Sequence, residues 1–226
     1  MDFRFFRNER IIKKKILITA GPTYEAIDPV RFIGNYSSGK MGFAIAEEAA
    51  QRGAEVTLIT GPVQLTTTHP NITRIDVTSA QEMCDAALRV FPTMDGAILS
   101  AAVADFTPVK KYDQKIKEKQ SLTIELQPNP DIAQELGKRK TNQQVVAGFA
   151  LETNDEFTHA QKKLERKNFD FIVLNSLADK GAGFGYDTNK VTIIKRDGDV
   201  LHFDLKPKKE VAKDIITILA SYFTKE

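Results

Sequence analysis

Three clusters of residues in this chain have the types and spacing to cancel negative charge. The first is Asn35-Tyr36-Ser37-Ser38-Gly39-Lys40-Met41-Gly42, which leads into an alanine-rich stretch reading as a helix to Arg52. A helix start offers unpaired N–H groups and the positive end of the dipole, which together favour an anion. Ser37 or Ser38 is expected to cap that helix, and Gly39 and Gly42 let a ligand approach the backbone. The second cluster is Lys110, Lys111, Lys115, Lys117 and Lys119, in a segment with no continuous apolar face. The third is His159, Lys163 and Lys167, whose four-residue spacing puts them on one helix face. Each also has a bland reading: a capped helix, a solvated loop, a solvated stripe. A phosphate-bearing ligand at the Ser-Ser-Gly turn is the sharper expectation.

The elements that must hold these groups follow from the apolar pattern. Ile16-Leu17-Ile18 forms a strand ending at Thr19-Ala20-Gly21, and Glu55 to Thr60 forms another after the helix. Strand, loop, helix and strand make a βαβ unit, which favours a parallel sheet. The intervening loop of about eighteen residues is long for such a connection, and long ordered loops tend to be functional. Ile72 to Val77 alternates like a strand, and Ser79 caps a helix running to about Phe91. Gly96 to Ala101 reads as a buried strand and leads into Ala102-Val103-Ala104-Asp105. Ligands of parallel sheets sit at the carboxyl ends of strands, so Asp105 is placed to face one, although a lone Asp there equally serves as a turn or cap. Residues 107–127 read as a hairpin-like basic flap. Asn129 is expected to cap a short helix with Pro130 at its first position. Strands at Val145 to Ala150 and Phe171 to Leu174 flank a helix from about Glu156 to Asn168. Lys190 to Lys195 and Val200 to Leu205 flank Asp197-Gly198, a hairpin turn, and an amphipathic helix from Lys208 to Phe223 closes the chain. The expected fold is α/β: a Rossmann-like, doubly wound, mostly parallel sheet with a basic flap and a C-terminal β-hairpin.

Composition narrows the function. The 226 residues can bury one core, so residues 14–226 are read as one domain after a basic, aromatic tail or linker remnant at 1–13. With 32 Lys and Arg against 30 Asp and Glu, the net charge of +2 is too balanced to suggest nucleic acid. The single cysteine, Cys84, reads as a buried helical thiol and fits a reducing cytoplasm. His69, His159 and His202 are scattered, which argues against zinc, and no apolar run approaches membrane-spanning length.

A nicotinamide-dependent dehydrogenase of the short-chain type is one alternative for such a βαβ unit. Its glycine turn should follow the first strand directly, and its second strand should end near an acidic residue, whereas this one ends Thr60-Gly61-Pro62. Tyr186 and Lys190 have the Tyr-x-x-x-Lys spacing but lie in a loop pattern, not on a helix face.

The motifs carry a different resemblance. Ile-Thr-Ala-Gly-Pro-Thr-Tyr-Glu at 18–25, Ile-Asp-Pro-Val-Arg at 27–31 and the 35–42 segment resemble phosphopantothenate–cysteine ligase, the synthetase half of the bacterial bifunctional coenzyme A biosynthesis flavoprotein. The likeness continues through Ala-Ala-Val-Ala-Asp at 101–105, Lys-Ile-Lys at 115–117, Asn-Pro-Asp-Ile at 129–132 and Gly-Phe-Ala-Leu-Glu-Thr at 148–153. It implies that 4′-phosphopantothenate and L-cysteine are joined with CTP through an acyl-cytidylate, with Mg²⁺ accompanying the nucleotide and no flavin in this chain. It further implies a homodimer, and either a free-standing synthetase or one half of a protein with a flavin-dependent decarboxylase upstream. By the same resemblance Asn35 orients the acyl carbonyl, Arg31 binds the substrate phosphate across the dimer interface, and Lys115 stabilises nucleotidyl transfer. Ser37, Ser38 and Gly39 hold phosphates; Leu99, Ser100, Ala101, Pro130, Asp131, Ile132, Ala133 and Phe149 surround cytidine; Lys163 and Lys167 contact the nucleotide; Asp105 holds a hydroxyl or the metal. The family often has a second basic residue after Lys-Ile-Lys where this chain has Glu118, leaving Lys117 or Lys119 to serve. A non-catalytic nucleotide-binding regulator is the third reading, against which Asn35, Arg31 and Lys115 stand, since a binder needs only the phosphate loop.

Overall fold

The computed structural model describes residues 11–117, 121–152, 155–176, 183 and 185–224. Its first strand, β1 (Lys15–Ala20), is an apolar run in which Ile16, Leu17 and Ile18 are wholly buried. Side chains alternate across a strand, so Ile16 and Ile18 enter the core on one face of the sheet and Leu17 the core on the other. Burying each contributes about 1.5–3 kcal/mol, which explains why this strand sits inside the sheet.

The loop after β1 contains a small hairpin, β2 (Tyr24–Ala26) paired antiparallel with β3 (Phe32–Gly34). Period-two patterning is absent over so few residues; what joins these strands is the stacking of Tyr24 on Phe32, with ring centroids 3.8 Å apart. Helix α1 (Lys40–Gln51) and β4 (Glu55–Thr60) then complete the βαβ unit. Strand β5 (Ile72–Asp76) and helix α2 (Ala80–Val90) follow, the helix closed at its start by a capping box between Ser79 and Glu82. Cys84 is buried on α2.

Strand β6 (Gly96–Leu99) stops two residues short of the expected Ala101. Beyond it β7 (Phe106–Pro108) pairs antiparallel with β8 (Leu126–Pro128), forming the two legs of the flap. Glu118 and Lys119 lie outside the described residues. Helix α3 (Ile132–Arg139), β9 (Val145–Glu152), α4 (Glu156–Arg166) and β10 (Phe171–Ser176) complete the parallel part. β11 (Thr188–Lys195) and β12 (Val200–Pro207) form the expected hairpin, and α5 (Lys208–Phe223) packs back on α1.

The sheet order is β12-β11-β10-β9-β6-β1-β4-β5. Pairs from β5 through β10 are parallel, and β11 and β12 are added antiparallel. α1 and α5 cover one face; α2, α3 and α4 cover the other. The chain winds outward from β1 in one direction and then returns to wind in the other, so a crevice opens at the carboxyl ends of β1 and β6. No helix among the described residues is long and apolar enough to cross a membrane.

Candidate functional site

A cavity of about 600 Å³ occupies that crevice. Its first wall is the entry to α1, residues Asn35 and Ser37 to Gly42. The cap position is taken by Gly39, at φ 77°, and neither Ser37 nor Ser38 caps the helix as expected. Ser37 Oγ instead accepts from the Gly39 N–H at 3.3 Å. Left-handed backbone at the cap suits glycine, and it leaves the first-turn N–H groups without a side-chain acceptor. Gly42 lets this turn rest directly on β1: a Cβ there would stand 2.5 Å from the Ala20 Cβ.

The second wall is the strand end from Leu99 to Asp105. It is fastened from behind by hydroxyls that β1 and the following loop supply. Thr19 Oγ1 accepts from the Ala101 N–H at 3.2 Å, and Thr23 Oγ1 accepts from the Ala104 N–H at 2.9 Å. Asn35 crosses between the two walls, its Nδ2 donating to the carbonyls of Ala102 at 3.0 Å and Val103 at 3.2 Å. Asn129 is not the helix cap; its Nδ2 donates to the Ala104 carbonyl at 2.8 Å, and its N–H to that of Asp105 at 2.9 Å. Asp105 is exposed at the cavity edge.

Opposite lie Pro130 to Ala133, the half-buried Phe149, and the end of α4. Asp131 caps α3 by accepting from the Gln134 N–H at 3.0 Å, displacing the expected Asn129 from that role. It also forms an ion pair with Lys167, the residue that closes α4. Lys167 is almost fully buried, not part of a solvated stripe, and burial pushes its pKa down, with the charge of Asp105 opposing. Lys163 joins it at the cavity wall.

Several lining residues had no local signal: Arg166, Asn175, Asn189 and Lys208. Lys208, the first residue of α5, is buried, and its Nζ donates to the carbonyls of Gly183, at 3.0 Å, and Tyr186. Burial pushes its pKa down, and the neighbouring charge of Lys40 adds to that. Lys40 pairs with Asp187 at 2.6 Å. The fold brings α5 here from the far end of the chain, so no spacing in the sequence could have joined Lys40 to Lys208. The nearby Tyr186 is exposed, and Lys190 lies in β11, so these two share no helix face.

Two of the named residues are not at the cavity wall. Lys115 is exposed on the flap, and Arg31 is turned toward Asp28. Asp28 Oδ1 accepts from the N–H groups of Val30 and Arg31, both at 2.8 Å. Its Oδ2 accepts from Arg31 Nε at 3.0 Å, from Arg31 Nη2, and from the Ile116 N–H at 3.1 Å. Arg31 Nη2 also donates to the Ile116 carbonyl at 2.9 Å.

A glycine-capped helix start, a strand end held from behind by threonine hydroxyls and buried lysines meet at the topological switch point of a doubly wound α/β domain. Residues 11–222 match the family described as DNA/pantothenate metabolism flavoprotein C-terminal domain, and the chain belongs to that family. It is 55% identical over 218 residues to a prokaryotic protein called cysteine/cysteine sulfinic acid decarboxylase, covering 94% of this chain and 61% of that protein. It is 47% identical over 209 residues to the coenzyme A biosynthesis bifunctional protein CoaBC of Bacillus subtilis (strain 168), covering 92% of this chain and 51% of that one. The chain thus spans little more than half the length of these relatives. The crystal structure of the C-terminal domain of a CoaBC protein superposes with a TM-score of 0.83 at 41% identity, covering 97% of this chain and 100% of that domain.

Proposed function

We propose that this domain joins 4′-phosphopantothenate to L-cysteine using CTP, a step of coenzyme A biosynthesis. The observation that carries the reading is one cavity uniting the α1 entry, the 99–105 strand end and the lysines of α4, in a chain matching the whole of a CoaBC C-terminal domain. A carboxylate is a poor acyl donor because its oxide leaves badly. Its oxygen therefore attacks the α-phosphorus of CTP, the bond to pyrophosphate breaks, and an acyl-cytidylate forms. The cysteine amine then attacks the acyl carbon, loses a proton, and CMP leaves with the former carboxylate oxygen. No protein nucleophile is needed; charge must be cancelled and three reactants held in line.

The free N–H groups at Lys40 to Gly42 suit the triphosphate, with Ser37 and Ser38 beside them. The small strand end Leu99-Ser100-Ala101, the Pro130-to-Ala133 backbone and Phe149 suit a flat pyrimidine. Lys163 supplies positive charge on the opposite side, and Lys167, paired with Asp131, can turn to the nucleotide only in exchange for that carboxylate. Asn35 is the residue read as orienting the acyl carbonyl: it sits between the α1 entry and the strand end, and its amide would donate there by giving up the Ala102 or Val103 carbonyl. Arg31 binds the substrate phosphate and Lys115 the developing charge of nucleotidyl transfer. The described residues offer no cluster of three His, Cys, Asp or Glu side chains for a metal. That fits Mg²⁺, which commonly takes one or two carboxylates and completes its shell with phosphate and water. Asp105 is the carboxylate that would hold it, and when bound with CTP it would offset triphosphate charge.

A homodimer is part of the reading. Val30, Phe32, Phe106, Val109 and Leu126 are exposed on the β2–β3 hairpin and the flap, and Tyr36 is 96% exposed at the α1 entry. A second copy covering this apolar surface would bring Arg31 and the flap of one protomer, which are tied to each other at Ile116, to the cavity of its partner. A flavin-dependent decarboxylase half preceding the domain agrees with the bifunctional relatives, and the reaction belongs in the cytoplasm. The decisive measurement is pyrophosphate release from CTP. A stoichiometric burst requiring phosphopantothenate but not cysteine is expected; release without phosphopantothenate, or none with both substrates, overturns the reading.

A further inference from the structure

Arg31 and Lys115 are far apart in the chain, yet both depend on one buried side chain. Asp28 is 2% exposed, and its two carboxylate oxygens have separate tasks. Oδ1 closes the local turn by accepting from the N–H groups of Val30 and Arg31. Oδ2 serves no local turn: it takes Arg31 Nε and Nη2 together with the N–H of Ile116, 88 residues away. Ile116 is held at its other end too, because Arg31 Nη2 donates to its carbonyl. A further tie, from the Tyr112 N–H to the Ile27 carbonyl at 2.9 Å, lies on the same side of the flap. The hydrogen bonds of Arg31 use Nε and Nη2; among the described residues Nη1 makes none, and the side chain is 42% exposed, so its two donors remain available.

We propose that Asp28 is a positioning residue that fixes Arg31 and the flap lysines on either side of Ile116, Lys115 and Lys117, in one register. The proposal rests on the functional reading above and deepens it: the residue binding the substrate phosphate and the lysine serving nucleotidyl transfer are set by the same carboxylate. Charge-assisted hydrogen bonds to a buried carboxylate are about twice as strong as neutral ones, so this contact outweighs a solvated lysine's freedom. The Arg31 guanidinium also holds the Asp28 carboxyl well below the usual carboxylate range, keeping it an acceptor throughout the working pH. A phosphate group arriving at Arg31 Nη1 thereby meets an arginine that already carries the flap.

Asp28→Asn separates the two oxygens. Its remaining carbonyl keeps the turn, while the new NH₂ points donors at three donors. Ile116→Pro removes one of these three contacts from the flap side by deleting one N–H, without touching the core. With the full chain, we expect Asp28→Asn to slow the pyrophosphate burst about tenfold or more and to raise KM for phosphopantothenate, on the scale of one lost charge-assisted bond. Trypsin should cut the flap after Lys110 and Lys111, sites that neither variant alters, several-fold faster in the variant, a readout that a mere turn residue would not move. Ile116→Pro should move both readouts in the same direction by less, and the double variant should be no worse than Asp28→Asn, since the contact that Ile116→Pro deletes is one of the three that Asp28→Asn loses. Wild-type burst and cleavage rates in Asp28→Asn, or additive effects in the double variant, overturn the proposal. Should Asp28→Asn fail to fold, Ile116→Pro decides alone: wild-type behaviour there overturns it. If the unmodified protein releases no pyrophosphate, the functional reading fails, while flap cleavage in the same variants still decides whether Asp28 holds the flap.

Discussion

Gly42 carries a sharp prediction because it sits where α1 meets β1. A Cβ at this position would stand 2.5 Å from the Ala20 Cβ and 3.2 Å from the Thr19 carbonyl oxygen. Carbon atoms rest about 3.8 Å apart, so Gly42→Ala must move the helix entry by about 1.3 Å. Neither obstacle is the end of a flexible side chain, so the strand cannot yield cheaply. Overpacking of this kind costs roughly 1–3 kcal/mol, offset by up to about 1 kcal/mol from the better helix propensity of alanine. At the severe end of that range the net loss is about 2 kcal/mol, or roughly 4–8 °C in Tm for a domain of this size. The shift also carries the first-turn N–H groups away from an anion, and misplacement of about 1 Å costs up to 10²-fold in rate. Differential scanning calorimetry and pyrophosphate release at subsaturating CTP measure the two effects separately. Unchanged Tm and unchanged kcat/KM for CTP would refute the packing argument outright. A lowered Tm with normal kinetics would show that the helix entry does not hold the triphosphate.

Asn35→Asp removes both donors to the Ala102 and Val103 carbonyls, about 0.5–1.5 kcal/mol each, and sets a negative charge against them. Pyrophosphate release should slow modestly, while acyl-cytidylate accumulates even with cysteine present; mass spectrometry of the quenched mixture finding no intermediate would move Asn35 into nucleotide binding. Lys115→Gln should slow the pyrophosphate burst by the loss of about 2–4 kcal/mol of barrier stabilisation, and a normal burst would mean that this lysine is only solvated. Asp28 has its pKa lowered by Arg31 from an ordinary value of 3.8, so the unfolded chain binds more protons than the folded protein below that pH. Its stabilisation is complete above about pH 5 and is lost progressively as the pH falls through 3.8 and below, so the urea-unfolding difference between the native protein and Asp28→Asn should begin to shrink below about pH 5 and continue to shrink past about pH 3. A constant difference would show that the carboxylate charge is not what matters there.

Local pattern determined the architecture because its elements are long or strongly punctuated. The Ser79–Glu82 capping box on α2 and the Asp197-Gly198 hairpin are closed within a few residues, while the apolar run of β1 and the broad apolar face of α5 mark their burial whatever partners the fold supplies. Their order then leaves few topologies, and a doubly wound sheet with a final hairpin is the one observed. The motif stretches at 35–42, 99–105 and 129–133 likewise marked out much of the cavity wall before any geometry was known. What the sequence did not decide were contacts between distant segments. The caps fell to Gly39 and Asp131, not to Ser37, Ser38 or Asn129, because β1 presses against the first turn of α1 and Lys167 draws Asp131 into an ion pair. The short β2–β3 hairpin needed the stacking of Tyr24 on Phe32, not a strand-length pattern. Lys208 entered the site from the last helix, and Asp28 reached Ile116 across the flap. A buried charge must find its partners wherever the fold supplies them, and those partners have no fixed distance along the chain.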